Sequence, residues 1–282
     1  MGIFDGCLLA SDIDGTLMEN GYINPKNVEK IEYFISEGGA FSLSTGRTVA
    51  AVNDVLKEIK NISPSVVANG CMIYDFKNEK VLYEKIVPKE DLEIVKYVIE
   101  NYEDVGIEVH SGKNVYSVRS TRETDLHQEY ESLPTVPTLF EEIENIKLNK
   151  VLFTFPNADA REKFKLEIRE KDIYKNLTSV FMDTCAMIGG EFQSYHELVP
   201  IGVSKASALS ELCDILNIKK GCYFSIGDYY NDLEMIKTAD ISAVPISSPE
   251  DVKSQADYIT VPCDDGAVAD FIDYLKVKFN AK

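Results

Sequence analysis

The chain has 282 residues, 45% of them hydrophobic, enough to bury a substantial core in one large domain or two moderate ones. Its formal charge of -18, with no long Lys/Arg cluster to interrupt it, repels polyphosphate backbones and excludes nucleic acid as an expected partner. No apolar run is long enough to span a bilayer and the opening residues lack a secretion signal, so a cytoplasmic protein without a membrane partner is expected.

In chain order, Cys7-Leu8-Leu9-Ala10 reads as a buried strand that ends in Asp12-Ile13-Asp14-Gly15-Thr16. Acids on alternating positions stand side by side at the strand's carboxyl edge, and the glycine lets the chain turn away. Such carboxylates repel each other unless a hard cation such as Mg2+ neutralises them, and a neutralised carboxylate can approach a phosphate. A calcium loop does not fit, because Gly15 falls at loop position four and Ile23 at position twelve. An ordinary turn leaves the apolar strand before it without a reason.

Asn24-Pro25 is a helix N-cap and first-turn pair, Val28, Ile31 and Ile35 recur at helical spacing, and Gly38-Gly39 stops the helix. Residues 40–44 form a second predicted strand ending in Thr45-Gly46-Arg47. Residues 48–59 read as a helix and residues 65–68 as a third strand ending at Asn69-Gly70. This alternation implies right-handed crossovers and a parallel sheet that binds ligands at the carboxyl ends of its strands.

From Cys71 the pattern changes. Residues 72–74 and 81–85 form a predicted hairpin, a helix beyond Pro88 carries Leu92, Val95, Val98 and Tyr102, and residues 107–110 and 115–119 alternate as strands. There follow a helix from Thr124, a loop with Pro134 and Pro137, a strand at 151–155, a helix at 158–171 and a strand at 178–182. Antiparallel hairpins mixed with helices mark an inserted α+β domain over residues 86–189.

The doubly wound pattern then returns. Ser204 caps a helix carrying Lys205, with Ala208, Leu209, Leu212 and Leu216 on its apolar face, and a strand at 222–226 ends in Gly227-Asp228. Residues 240–244 and 258–261 read as further strands and residues 267–278 as the last helix. The expected fold is α/β, a doubly wound parallel sheet from residues 1–85 and 190–282, with the α+β insertion between them.

The six cysteines form no Cys-x-x-Cys pair and the three histidines no His-Glu-x-x-His, so thiols are expected reduced and any metal held by oxygen. Four stations supply the chemistry: Asp12-x-Asp14-Gly15-Thr16, Thr45-Gly46-Arg47, Lys205, and Gly227-Asp228 through Asn231-Asp232. Singly, the second could be a tight turn, Lys205 a solvated lysine and Gly227-Asp228 a surface turn. Together they offer two acids, a hydroxyl, a cation and a further metal carboxylate. A nucleophilic carboxylate and an anionic phosphate repel at contact distance, and Lys205 with Mg2+ is the evident remedy.

On these residues the sequence resembles the haloacid dehalogenase (HAD) superfamily, and more narrowly its Cof-type phosphatases with a large inserted (C2B-like) cap. Ile13-Asp14-Gly15-Thr16-Leu17, Ser44-Thr45-Gly46-Arg47, Asn69-Gly70-Cys71-Met72-Ile73-Tyr74, Gly202-Val203-Ser204-Lys205, Gly227-Asp228 to Asn231-Asp232 and Asp265-Gly266-Ala267-Val268 look like the family signatures in the family order. One departure is Ser44, where alanine commonly precedes the threonine.

The resemblance implies roles residue by residue. Asp12 would be the nucleophile that forms an aspartyl-phosphate, and Asp14 the acid/base. Mg2+ would be held by Asp12, the Asp14 carbonyl and Asp228, with Asp232 on one of its waters. Thr45, Gly46 and Lys205 would bind phosphate oxygens, Asn231 would position Lys205 or the phosphate, and Thr16 would orient the Asp14 loop. The cap would read the organic group, with His110, Arg119, Arg122 and Asp183 as candidate readers. The expected activity is Mg2+-dependent hydrolysis of a small phosphorylated metabolite such as a sugar phosphate. A phosphomutase on the same scaffold and a non-enzymatic phosphate-binding module are the alternatives, and an acid two residues beyond Asp12 favours an enzyme.

Overall fold

Leu8–Ser11 is a strand with all four residues buried, as a strand covered on both faces requires. In this computed structural model, which describes residues 2–112, 114–130, 135–180, 185–188 and 191–280, it lies inside a five-stranded parallel sheet. The order is Tyr258–Thr260, Ile241–Pro245, Tyr223–Ile226, Leu8–Ser11, Ala40–Leu43. Helix Pro25–Ser36 starts where Asn24 accepts from the Lys26 amide, with proline at its first position, and packs against Cys263–Asn280. The latter breaks at Gly266, whose φ is +101°, so its regular part begins at the expected residue 267. Helix Lys205–Leu216 buries Ala208, Leu209 and Leu212 in one cluster with Leu8, Ala10 and Val66.

The third expected strand departs from the expectation. Ser65–Val67 pairs antiparallel with Met72–Asp75, in a separate three-stranded sheet completed by Lys80–Glu84. A lone parallel bridge, Ser44 to Val66, links it to the second strand. The Leu43 amide donates to Ser65 Oγ (3.1 Å), so a side chain replaces a rung that a regular ladder would make with backbone.

The chain divides into two compact units, one of Met1–Gly46, Val52–Tyr83 and Ser204–Lys282, the other of Arg47–Ala51 and Glu84–Val203. The second holds a seven-stranded mixed sheet ordered Thr135–Pro137, Asn114–Arg119, Gly106–Ser111, Lys150–Phe155, Glu191–Pro200, Leu177–Ser179, with Cys185–Ile188 also on Glu191–Pro200. Ile107, Val109, Val151, Phe153, Phe155 and Leu198 form its core with Val95 and Val98 of helix Glu93–Asn101 and Phe164 and Ile168 of helix Ala158–Lys171. Strand Glu191–Pro200 was not anticipated. It pairs on one side with Lys150–Phe155, so the chain returns to the first unit at Ser204 rather than at residue 190. Thr135–Pro137, expected as loop, is an edge strand, where proline costs no central rung. Pro134 and residues 181–182 of an expected strand lie outside the described residues. No helix among the described residues is long and apolar enough to cross a membrane.

Candidate active site

Asp12 follows the last residue of the central strand, and its amide continues the ladder by donating to Ile226 O (2.9 Å). The chain then folds back, with the amides of Leu17 and Met18 donating to Ile13 O (2.9 and 2.8 Å) and that of Gly15 to Met18 O (3.0 Å). Gly15 has a φ of +77°, and a β-carbon there would fall 2.5 Å from Asp228 Oδ2. Both the turn and the close approach of Asp228 therefore need glycine. Asp12 is buried at 7% exposure, whereas Asp14, two residues on, is exposed.

Strand Tyr223–Ile226 delivers Gly227 and Asp228 to the same edge, one strand over. Thr16 is buried and donates to Asp228 Oδ1 (3.0 Å), so it braces the metal-binding candidate rather than the Asp14 loop it was expected to orient. Asp232 is fully buried. Its Oδ2 accepts from the amides of Asp228 (3.0 Å) and Tyr229 (3.1 Å), and its Oδ1 accepts from Lys205 Nζ (2.6 Å). Lys205 Nζ also donates to Asp12 Oδ1 (2.6 Å), at 1% exposure. Ser204 holds this lysine at a helix start by accepting from the Ser207 amide (3.1 Å).

The electrostatics follow from that packing. Burial pushes Asp12 up to about 7, with Asp232 and Asp14 adding to the rise and Lys205 opposing it. Burial, then the charges of Asp12 and Asp232, push Asp228 well above the usual carboxylate range. Lys205 loses by burial but gains more from Asp12 and Asp232, and stays charged. Three carboxylates thus share one ammonium. One oxygen each of Asp12, Asp228 and Asp232 lies within 4.8 Å of the others, an all-oxygen set short of positive charge that fits a hard divalent cation. The Asp14 side chain is not part of this set, which leaves its backbone carbonyl as its expected contribution to a metal.

Thr45 and Gly46 stand just past the neighbouring strand Ala40–Leu43. The Thr45 amide donates to Val66 O and its carbonyl accepts from the Asn69 amide, both at 3.0 Å. Asn231, half-buried, sits in the short helical turn Tyr230–Asp232. Asp12, Lys205, Asp228 and Asp232 therefore come together, with Asp14 on the same turn and Thr45 and Gly46 on the adjacent strand end. Asp232, expected on a metal-bound water, lies in this acid set and also accepts from Lys205.

The expected cap readers fare differently. His110 is 1% exposed on a sheet position beside Glu108, with its Nε2 3.4 Å from Glu108 Oε2. The Arg119 guanidinium donates to the carbonyls of Tyr102, Ile99 (2.8 Å), Val105 (3.3 Å) and Val98 (3.4 Å). These cap the end of helix Glu93–Asn101, so Arg119 is a structural residue. Arg122 is exposed at the start of helix Arg122–Tyr130, and Asp183 lies outside the described residues. Sequence reasoning gave no sign of Glu108, a fully buried carboxylate held by His127 Nδ1 (2.9 Å) and Gln128 Nε2 (2.7 Å). Only its alternation with Ile107 and Val109 hinted at a second buried face.

A parallel sheet that gathers a buried lysine and a cation-seeking acid cluster at its carboxyl edge is built as an α/β enzyme for anionic substrates. The chain belongs to the haloacid dehalogenase-like hydrolases, a family that matches it over residues 9–272. It is 24% identical to the 5-amino-6-(5-phospho-D-ribitylamino)uracil phosphatase YwtE of Bacillus subtilis, over 95% of this chain and 97% of that one. Its fold is that of TM0651 of Thermotoga maritima, with a TM-score of 0.81 at 23% identity over 95% and 97% of the two chains. It is also that of the HAD subclass IIB sugar phosphatase BT4131, with a TM-score of 0.78 at 22% identity over 96% and 99%. The phosphatase YwpJ of Bacillus subtilis is likewise 24% identical, over 95% of this chain and 99% of that one.

Proposed function

We propose that this protein is a Mg2+-dependent phosphatase of small phosphomonoesters, sugar phosphates or similar metabolites, that works by phosphoryl transfer to Asp12. The observation that carries the reading is the buried chain from Asp12 through Lys205 to Asp232, 2.6 Å at each link, beside the Asp228 carboxylate. A carboxylate that is buried, aimed from a strand end and paired to a fixed ammonium is a nucleophile prepared for an anion.

An Asp12 carboxylate oxygen attacks phosphorus while the bond from phosphorus to the alcohol oxygen breaks, and Asp14 supplies the proton that the leaving oxygen takes. Water then attacks the aspartyl-phosphate, Asp14 accepts its proton, and inorganic phosphate leaves with Asp12 restored. Exposure of Asp14 suits a group that must exchange protons with water. Lys205, the Thr45 hydroxyl and the Gly46 amide hold the non-bridging oxygens, with Asn231 beside them. Mg2+, held by Asp12, Asp228 and the Asp14 carbonyl, would offset the charge that two anions bring together. We assign choice of the organic group to the second unit.

The test is phosphate release from a panel of sugar phosphates that includes 5-amino-6-(5-phospho-D-ribitylamino)uracil, with Mg2+ and with a chelator. Release should need the metal, and Asp12→Asn should lower kcat by about 10³-fold or more. No release from any compound, or a fully active Asp12→Asn, ends the proposal.

A further inference from the structure

The Asn69-Gly70 dipeptide takes no part in the chemistry above, yet the chain adopts unusual backbone to place it. Ala68, Asn69 and Gly70 run consecutively through the left-handed region, with φ of +50°, +54° and +101°. That conformation is unfavourable for residues with a β-carbon and persists where the surroundings enforce it, commonly at functional sites. All three residues are buried, Asn69 at 3% exposure.

Each half of the dipeptide touches a different part of the anion site. On one side, the Asn69 amide donates to Thr45 O (3.0 Å). A β-carbon on Gly46 would stand 3.0 Å from Asn69 Oδ1 and 3.1 Å from Nδ2, so the carboxamide lies against the Gly46 backbone. On the other side, a β-carbon on Gly70 would stand 2.1 Å from Ser204 O and 3.1 Å from the Lys205 amide. Bare glycine is what lets the first turn of helix Lys205–Leu216 rest on this loop.

Taking Thr45, Gly46 and Lys205 as the phosphate cradle of the phosphatase proposed above, we infer that Asn69-Gly70 is the positioning element that sets their spacing. Asn69 fixes the Thr45-Gly46 turn and Gly70 fixes the Lys205 helix, and neither touches substrate. A phosphoryl group gripped from two separate elements needs their separation held to well under an ångström, since displacement of about 1 Å costs about 10²-fold in rate.

Asn69→Gly tests this in the full chain, because glycine accepts the left-handed backbone and only the carboxamide is removed. With Mg2+ present, kcat and KM for the best substrate, the calorimetric Kd for tungstate as a phosphate mimic, and the thermal midpoint are measured together. We expect kcat to fall about 10- to 100-fold and tungstate to bind about tenfold more weakly, at temperatures well below the variant's own midpoint. Gly70→Ala should show a larger loss of tungstate affinity as the Lys205 helix is displaced, and Asn69→Gly decides the matter if that variant does not fold. An Asn69→Gly protein within twofold of wild type in both kcat and tungstate affinity overturns the inference while leaving the phosphatase intact. A wild type that binds tungstate and hydrolyses nothing sinks the phosphatase alone, and the affinity ratio still decides positioning. A wild type that does neither overturns both.

Discussion

Replacing Asp232 by asparagine separates anchoring of Lys205 from ligation of metal. The wild-type carboxylate accepts three bonds in a fully buried place: Lys205 Nζ at 2.6 Å, the Asp228 amide at 3.0 Å and the Tyr229 amide at 3.1 Å. Asparagine keeps the shape but turns one oxygen into a donor, which must face either the ammonium or the two amides. Loss of the charged bond costs about 1.5–3 kcal/mol, and opposing two buried donors adds about 1–3 kcal/mol. A total of about 2.5–6 kcal/mol brackets the roughly 3–5 kcal/mol for removing one partner of a buried ion pair. For a unit of this size that lowers the melting midpoint by on the order of 10 °C. The chain has no tryptophan, so circular dichroism or tyrosine emission follows unfolding. The half-saturating Mg2+ concentration for phosphate release should move less than in Asp228→Asn. An Asp232→Asn protein with wild-type stability and a tenfold higher Mg2+ requirement would refute the anchoring role and make Asp232 a metal ligand.

Arg119→Ala should cost about 2–3 kcal/mol of stability in the second unit, through the carbonyls of Val98, Ile99, Tyr102 and Val105, and leave kcat/KM within about twofold. A tenfold loss of activity at unchanged melting would restore Arg119 as a substrate reader. His196 gives the pH dependence: burial, with the charges of Lys165 and Arg161, pushes the ring down to about 3 against Glu162. The folded state keeps it neutral while the unfolded ring takes a proton below its usual 6.5. This contribution to stability is complete above pH 6.5 and falls toward pH 3 at about 1.4 kcal/mol per pH unit. His196→Phe keeps the edge contact with Phe164 and should flatten urea midpoints between pH 6.5 and 4.5, and an unchanged slope would disprove the assignment.

Patterns confined to a few consecutive residues were readable in the sequence. The apolar run before Asp12, the Asn24-Pro25 and Ser204 helix starts and the glycines after strands each act through local backbone preference, and they gave the parallel sheet. Strand Glu191–Pro200 stayed hidden because Ser194 and His196 are buried polar residues at positions where alternation is expected to show apolar ones. Buried polar side chains also explain the cap: in sequence, His110 and Arg119 look like any solvated pair, and only packing shows them committed to Glu108 and to helix carbonyls. Ser65–Val67 had strand character, but its pairing with Met72–Asp75 in place of the main sheet is a tertiary choice that its own residues do not display. Asp232 was placed at the site by its motif. Its partner was not, because nothing local says which of several carboxylates a lysine 27 residues away will meet.

The bond from Lys205 to Asp12 closes over 193 residues of chain, and the parallel neighbour of Leu8–Ser11 on that side is Tyr223–Ile226. During synthesis the first strand therefore waits for Tyr223–Ile226, while Glu84–Val203 emerges as one continuous stretch with its own core. The second unit can fold on the ribosome before the first is complete. Until Lys205 has emerged, a nascent chain carries Asp12 without its ammonium.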